Sequence, residues 1–203
     1  MILPLSYFGP VEEYTFLAQN ETIQYEAKEH FVKQSYRNRC EIYGANGTLR
    51  LTVPLVLKGR EKTGMDKIKI AYHDNWQNHH WRSITSAYKN SPFFYYYEDI
   101  LAPLFLEEFK YLKDLNLKAL EIVKHCLQID CKHSLTEEFL PYQENDLRLI
   151  LHPKKECLVD CTRYIQVFEE KHGFQGNLSI LDLLFNEGPS AIIYLKNLSI
   201  KNS

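Results

Sequence analysis

The chain has 203 residues, 45% hydrophobic and 25% charged, and 24 Lys and Arg stand against 26 Asp and Glu for a formal charge of −2. That length suffices for one domain with a sizeable core. The balanced charge lacks the basic excess that general nucleic-acid binding draws on, so no nucleic-acid partner is expected.

The opening run Met1 to Ser6 is apolar and reads as a strand that ends at the turn Tyr7-Phe8-Gly9-Pro10. It has no basic n-region and meets acidic residues by Glu12, so it does not read as a signal peptide. Pro10 suits the first turn of a helix, and Val11, Tyr14, Leu17 and Ala18 then recur at helical spacing. Thr22-Ile23-Gln24-Tyr25 alternates as a second strand, which makes a βαβ-like start. Residues 32 to 55, VKQSYRNRCEIYGANGTLRLTVPL, predict a hairpin about the turn Gly44-Ala45-Asn46-Gly47. Its core face is expected to carry Cys40, Ile42, Leu49, Leu51 and Val53, with Arg39, Glu41 and Tyr43 on the other side. LKGREKTGM, residues 57 to 65, reads as a polar, mobile loop holding Lys58, Arg60 and Lys62. Ile68 and Ile70 mark another strand.

Asp74 or Asn75 is placed to cap a helix from Trp76 to about Lys89, stopped by Asn90-Ser91-Pro92. PFFYYYEDI predicts a short packed helix, and Leu104 to Leu127 the longest helix of the chain. Beyond residue 130 the pattern is less regular: Arg163 to Phe168 reads as a strand, and LSILDLLF and AIIYLKNL as helices, the first capped by Asn177. The expectation is a single domain over 1–203, mixed α/β, with a small central sheet flanked by helices. Its core spans about 1–130, and a helical, less regular part follows over about 131–203. No run is long and apolar enough for a membrane span, so a cytoplasmic chain with no integral membrane segment is expected. Five cysteines at 40, 126, 131, 157 and 161 miss knuckle and CxxC spacings, which leaves reduced thiols and no metal. The sequence singles out no cofactor.

Lys33, Gln34, Tyr36, Arg37, Asn38 and Arg39 crowd into seven residues at the mouth of the hairpin. Arginine grips phosphate or carboxylate at two points, lysine adds charge, and the amides suit sugar hydroxyls. The competing reading pairs these cations with Glu26, Glu29 or Glu41. On the following helix His79 and Arg82 are neighbours at i,i+3, while His80 lies nearer the buried stripe with Tyr88. Tyr7 and Phe8 occupy the end of the first strand, where open α/β sheets bind ligands. Glu12 and Glu13 complement the dipole of the first helix or hold a substrate amine. No phosphate-loop, dinucleotide or nucleophile-elbow motif is present, which argues against those reactions.

The blocks YFGPVEEY, KQSYRNRCEIYGANGTLRLTVPL, NWQNHHWRSITSAYKNSPFFYYY and YIQVF…GFQGNLSILDLLFNEGP together resemble the WbqC-like family of bacterial proteins. The resemblance implies a place among polysaccharide O-antigen genes and transfer of a glycyl or similar acyl group to the amine of an amino sugar. Its Gln/Asn/Arg signature falls on Gln34, Asn38 and Arg39, and its helix signature on Trp76, His80, Arg82, Tyr88 and Pro92. Many members carry His-Gln-Pro at the end of the first strand, where this chain has Leu3-Pro4-Leu5-Ser6.

The expected activity is therefore acyl or aminoacyl transfer to an amino sugar in surface-polysaccharide biosynthesis. The ligand expected is a phosphorylated or carboxylated small molecule, either a nucleotide sugar or an acyl donor. Lys33, Arg37 and Arg39 would hold its anion, Gln34 and Asn38 would orient the acceptor, and Tyr7, Tyr36, His79 and Tyr88 would complete the binding surface. His80 would accept the amine proton, with Arg82 opposing charge on the tetrahedral intermediate. Nucleotidyl transfer and a non-catalytic module for glycan precursors are the alternatives.

Overall fold

The computed structural model describes residues 1–57, 63–143 and 146–201. Strand β1 (Ile2–Pro4), helix α1 (Val11–Gln19) and strand β2 (Thr22–Glu26) form the expected βαβ unit, with β1 and β2 parallel. Leu3 sits opposite Tyr25 across this pair, and both are fully buried. The hairpin follows as β3 (Arg39–Gly44) and β4 (Gly47–Thr52), joined through Ala45-Asn46 with Gly47 at φ 98°. That angle lies in the region where a side chain is strained, which is why glycine occupies the turn.

Short strands β5 (Leu55–Val56) and β6 (Lys69–Ile70) pair with each other. Residues 58 to 62, with Lys58, Arg60 and Lys62, lie outside the described residues. Helices α2 (Trp76–Tyr88), α3 (Phe94–Leu101) and α4 (Leu112–Leu127) come next. Strand β7 (Lys132–Leu135) then adds to β2, completing a parallel sheet of order β1-β2-β7. Helices α5 (Leu147–Ile150), α6 (Glu169–His172), α7 (Ile180–Glu187) and α8 (Ala191–Asn197) close the chain.

Four local expectations are corrected. The longest helix begins at Leu112 and not at Leu104, because the segment before it is recruited by β6. Ile70 N donates to Lys110 O and Leu112 N to Ile68 O, so tertiary pairing overrides the helical pattern. Arg163 to Phe168 alternates as a strand would, with Tyr164 and Gln166 buried and Ile165 exposed, yet it joins no described sheet. Ser179, not Asn177, caps α7, its Oγ accepting from Leu181 N, while Asn177 Oδ1 accepts from Glu12 N at 2.9 Å. Leu49 is 40% exposed, whereas Tyr43 on the supposedly outer face of β3 is fully buried.

The cause of that last reversal is the C-terminal region, which folds over the hairpin. Ser179 N donates to Glu41 O at 2.7 Å, and the Tyr43 hydroxyl donates to Gly173 O at 2.6 Å. The same region supplies β7 and the apolar helix α7, in which Ile180, Leu183, Leu184 and Phe185 are fully buried. The tail is thus part of the core and not an appendage to it. No helix among the described residues is long and apolar enough to cross a membrane.

Candidate functional site

The six donors of the hairpin mouth divide into distinct roles. Lys33 and Gln34 are exposed, Asn38 is half-buried, and Tyr36, Arg37 and Arg39 are buried. Asn38 is a fastener: its Nδ2 donates to Val53 O at 2.9 Å, and its own carbonyl accepts from Val53 N. Arg37 is neutralised. Its Nε and Nη2 donate to the two oxygens of Glu29 at 2.6 and 2.8 Å, with Nη2 also reaching Arg148 O, and both partners are almost wholly buried. The competing reading of the sequence therefore holds for Arg37.

Arg39 differs. Its Nη2 donates to the carbonyl of Gln34, whose backbone is held at φ 58°, and its Nε is buried with no partner. No carboxylate forms a salt bridge with Arg39 among the described residues. Burial and the nearby Arg50 push its pKa down, against the pull of Glu41 and Tyr36. It stays a cation, and an under-compensated one. Burial and then the charges of Arg39, Arg37, Lys154 and Lys155 likewise push the His152 imidazole down. The run His152-Pro153-Lys154-Lys155 thus brings further positive charge beside Arg39. Its basic composition was visible in the sequence, but nothing local tied it to residues more than a hundred positions away.

The carboxyl ends of the parallel strands, where such sheets offer a ligand position, are filled from within. Glu26, at the end of β2, accepts from Thr136 Oγ1 at 2.7 Å, Leu140 N at 2.9 Å and Arg148 Nη1 at 3.2 Å. Arg148 is itself 1% exposed and also binds Asp146. Glu13, in the first turn of α1, is 2% exposed with Oε2 unpartnered. Burial pushes its pKa up to about 8 against the Ser6 hydroxyl, so it keeps its proton at neutral pH.

Tyr7 and His80 are brought together. The Tyr7 hydroxyl lies 3.0 Å from His80 Nδ1, and the nearby backbone of Thr52 favours the protonated ring, against its burial. In the neutral imidazole with Nε2 protonated, Nδ1 accepts from the Tyr7 hydroxyl. Burial pushes His80 down to about 4, so the imidazole is neutral at physiological pH. The Trp76 ring packs edge-on against it at 5.0 Å between centroids. His79 and Arg82 are exposed. Arg82 stands two residues from His80, about 200° around the helix, and so faces away from it.

Tyr88 belongs to a separate buried network that the sequence reading missed. Its hydroxyl accepts from Tyr43 N at 3.0 Å and acts on Asp182. Asp182 Oδ2 accepts from the Tyr164 hydroxyl and Gln166 Nε2, both at 2.7 Å. The signal was a lone acid inside the apolar run LSILDLLF. Gln166, with Ser91, Pro92, Phe168 and Asn186, lines a cleft of about 890 Å³. Among the described residues no group of three or more His, Cys, Asp or Glu is placed to hold a metal ion.

A family model described as the WbqC-like protein family matches residues 6–168. An uncharacterised protein of Mycobacterium tuberculosis, Rv1507c, is 28% identical, the match covering 82% of this chain and 84% of that protein. No solved structure matches the chain. The family match takes in the hairpin mouth, the Tyr7–His80 contact and the buried ion pairs alike, and the chain belongs to the WbqC-like family.

Proposed function

We propose that the chain binds a phosphorylated or carboxylated small molecule at Arg39, with Lys33, Gln34, His152, Lys154 and Lys155 around it, and that the ligand serves acyl or aminoacyl transfer to an amino sugar. The observation that carries the binding step is the Arg39 guanidinium, buried beside other cations, with Nε unpartnered and no described carboxylate against it. A buried guanidinium in that state gains from an anion that supplies two acceptors. Family resemblance supplies the reaction class. In that reaction the amine nitrogen bonds the acyl carbon, and the donor's leaving group (phosphate, for an aminoacyl phosphate) departs with the bonding electrons. The amine proton is taken up by His80, whose Nδ1 lies 3.0 Å from the buried Tyr7 hydroxyl. His80 is a weak acceptor, and Arg82 has no place in the scheme.

Calorimetry with inorganic pyrophosphate, a nucleotide-linked amino sugar and an aminoacyl phosphate tests the binding step. Arg39→Ala is expected to weaken binding at least about tenfold, with partial recovery in Arg39→Lys, since a lysine keeps charge but loses the fork. No heat from any of the three probes with the unmodified chain overturns the anion site. Mass spectrometry of the acceptor amine tests transfer. His80→Ala is expected to keep binding and lose transfer, whereas binding without transfer in the unmodified chain identifies a non-catalytic module.

A further inference from the structure

Helix α4 ends on Gln128, whose φ of 55° lies in the left-handed region, and Ile129 N returns to Lys124 O at 3.0 Å. That turn sends the chain back into β7 and sets the last turn of α4 beside Cys131 and His133. A cavity of about 570 Å³ opens there, lined by Lys124 and His133 together with Tyr96, Tyr97, Ile100 and Pro189. Its volume is that of a small-molecule site. None of its lining residues belongs to the hairpin mouth or to the Tyr7–His80 contact.

Lys124 Nζ donates to Cys131 O and, at 3.1 Å, to His133 Nδ1. An ammonium has only donors, so Nδ1 is the acceptor and the proton of the neutral ring sits on Nε2. No carboxylate forms a salt bridge with Lys124 among the described residues. The cavity wall therefore holds two donors, the third ammonium proton and His133 Nε2–H, and no described group accepts from either. Tyr96 supplies a flat apolar surface: its ring is 70% exposed and stands edge-on to the buried Tyr97 at 4.9 Å between centroids. Glu121 and Asp130 also line the cavity, are exposed, and pair with no cation among the described residues. Two carboxylates and the carbonyl end of α4 against one ammonium oppose an anionic ligand. An uncharged ligand that stacks, accepts from Lys124 and His133, and donates to a carboxylate fits all of these groups.

We propose that this cavity is a second ligand site, for an uncharged planar heterocycle with a carbonyl beside a ring N–H, the edge that uracil-type nucleosides present. The ring stacks on Tyr96, the carbonyl accepts from Lys124 and His133, and the N–H donates to a carboxylate of the lining. This inference does not depend on the anion site.

The test titrates the full-length, isotope-labelled chain with uridine and follows its amide signals by NMR. Saturable shifts are expected around Tyr96 and from Lys124 to His133. 3-Methyluridine keeps the ring but loses the N–H, and should bind at least about tenfold more weakly. Dihydrouridine keeps the edge but loses the flat ring, and should bind at least about threefold more weakly. Tyr96→Ala, at an exposed position, should weaken uridine at least about threefold, and Lys124→Met at least about tenfold. No saturable shift with uridine, shifts confined to other parts of the chain, 3-methyluridine binding as well as uridine, or glucose matching uridine overturns the proposal. The ligand series on the unmodified chain decides even if a variant fails to fold.

Discussion

Arg37 and Arg39 are two residues apart, carry the same side chain, and are both buried, yet their surroundings give them opposite work. Arg37 is matched oxygen for oxygen by Glu29, and neither partner touches solvent. A pair of that kind contributes little beyond its own desolvation, but removing one member leaves an uncompensated charge inside the protein. Arg37→Ala is therefore expected to cost about 3–5 kcal/mol, read by urea unfolding. The double replacement Arg37→Met with Glu29→Leu should cost clearly less than the single change. Equal costs would mean that Glu29 finds another partner. Sequence spacing alone would set Arg37 and Arg39 on one side of a strand, but β3 begins only at Arg39 with Arg37 in the turn before it, and spacing carries no record of where Glu29 folds. The choice between anion site and ion pair was thus open until the chain's path from 26 to 39 was known.

At the scale of elements, α1 and the loop before it show how a local pattern acquires unusual chemistry. Helical spacing from Val11 and the strand before it were legible, because both depend on residues a few positions apart. The protonation of Glu13 was not, since it follows from burial by distant elements. Its carboxyl folds back over Gly9, where a Cβ would lie 2.2 Å from Oε2. An acid whose folded pKa is about 8, against 4.5 unperturbed, favours the native state below 4.5. That advantage is lost as pH rises through 8, because the unfolded chain ionises first. Between pH 6.5 and 8 this group alone should remove about 2 kcal/mol of stability, at about 1.4 kcal/mol per unit. Glu13→Gln cannot ionise, so its stability relative to the unmodified chain should improve by about 2 kcal/mol over that interval in urea titrations. His80 works in the opposite sense. Its folded pKa of about 4 gives stability above 6.5 that is lost as pH falls toward 4, so it leaves the interval above 6.5 to Glu13.

For the molecule as a whole, the fold class and most elements of the first 100 residues followed from period and turn chemistry, the short strand β5 excepted, and the family match takes in the first three of the family's blocks. What the pattern could not show was that residues after 168 complete the same core. Helix α7 is almost wholly buried, Ile180 N donates to Gly9 O, and Val11 N donates to Leu178 O. Asp182 closes the network with Tyr164 and Gln166, and α8 packs on α1. The loop that positions Tyr7 is thus fastened from the C-terminal side, although the family match stops at residue 168. We expect the chain to unfold as one unit. A chain ending at residue 168 would expose the face of α1 that α8 covers and leave Gln166 and Tyr164 without their carboxylate, and it should lose near-UV circular dichroism while keeping part of its helical signal. Adding a peptide of residues 169–203 should restore the near-UV signal in proportion to its binding. A truncated chain with native near-UV dichroism and a cooperative melt would show that the sheet and α2 form a domain without the tail, and that the hairpin mouth needs no cover to hold Arg39 in place.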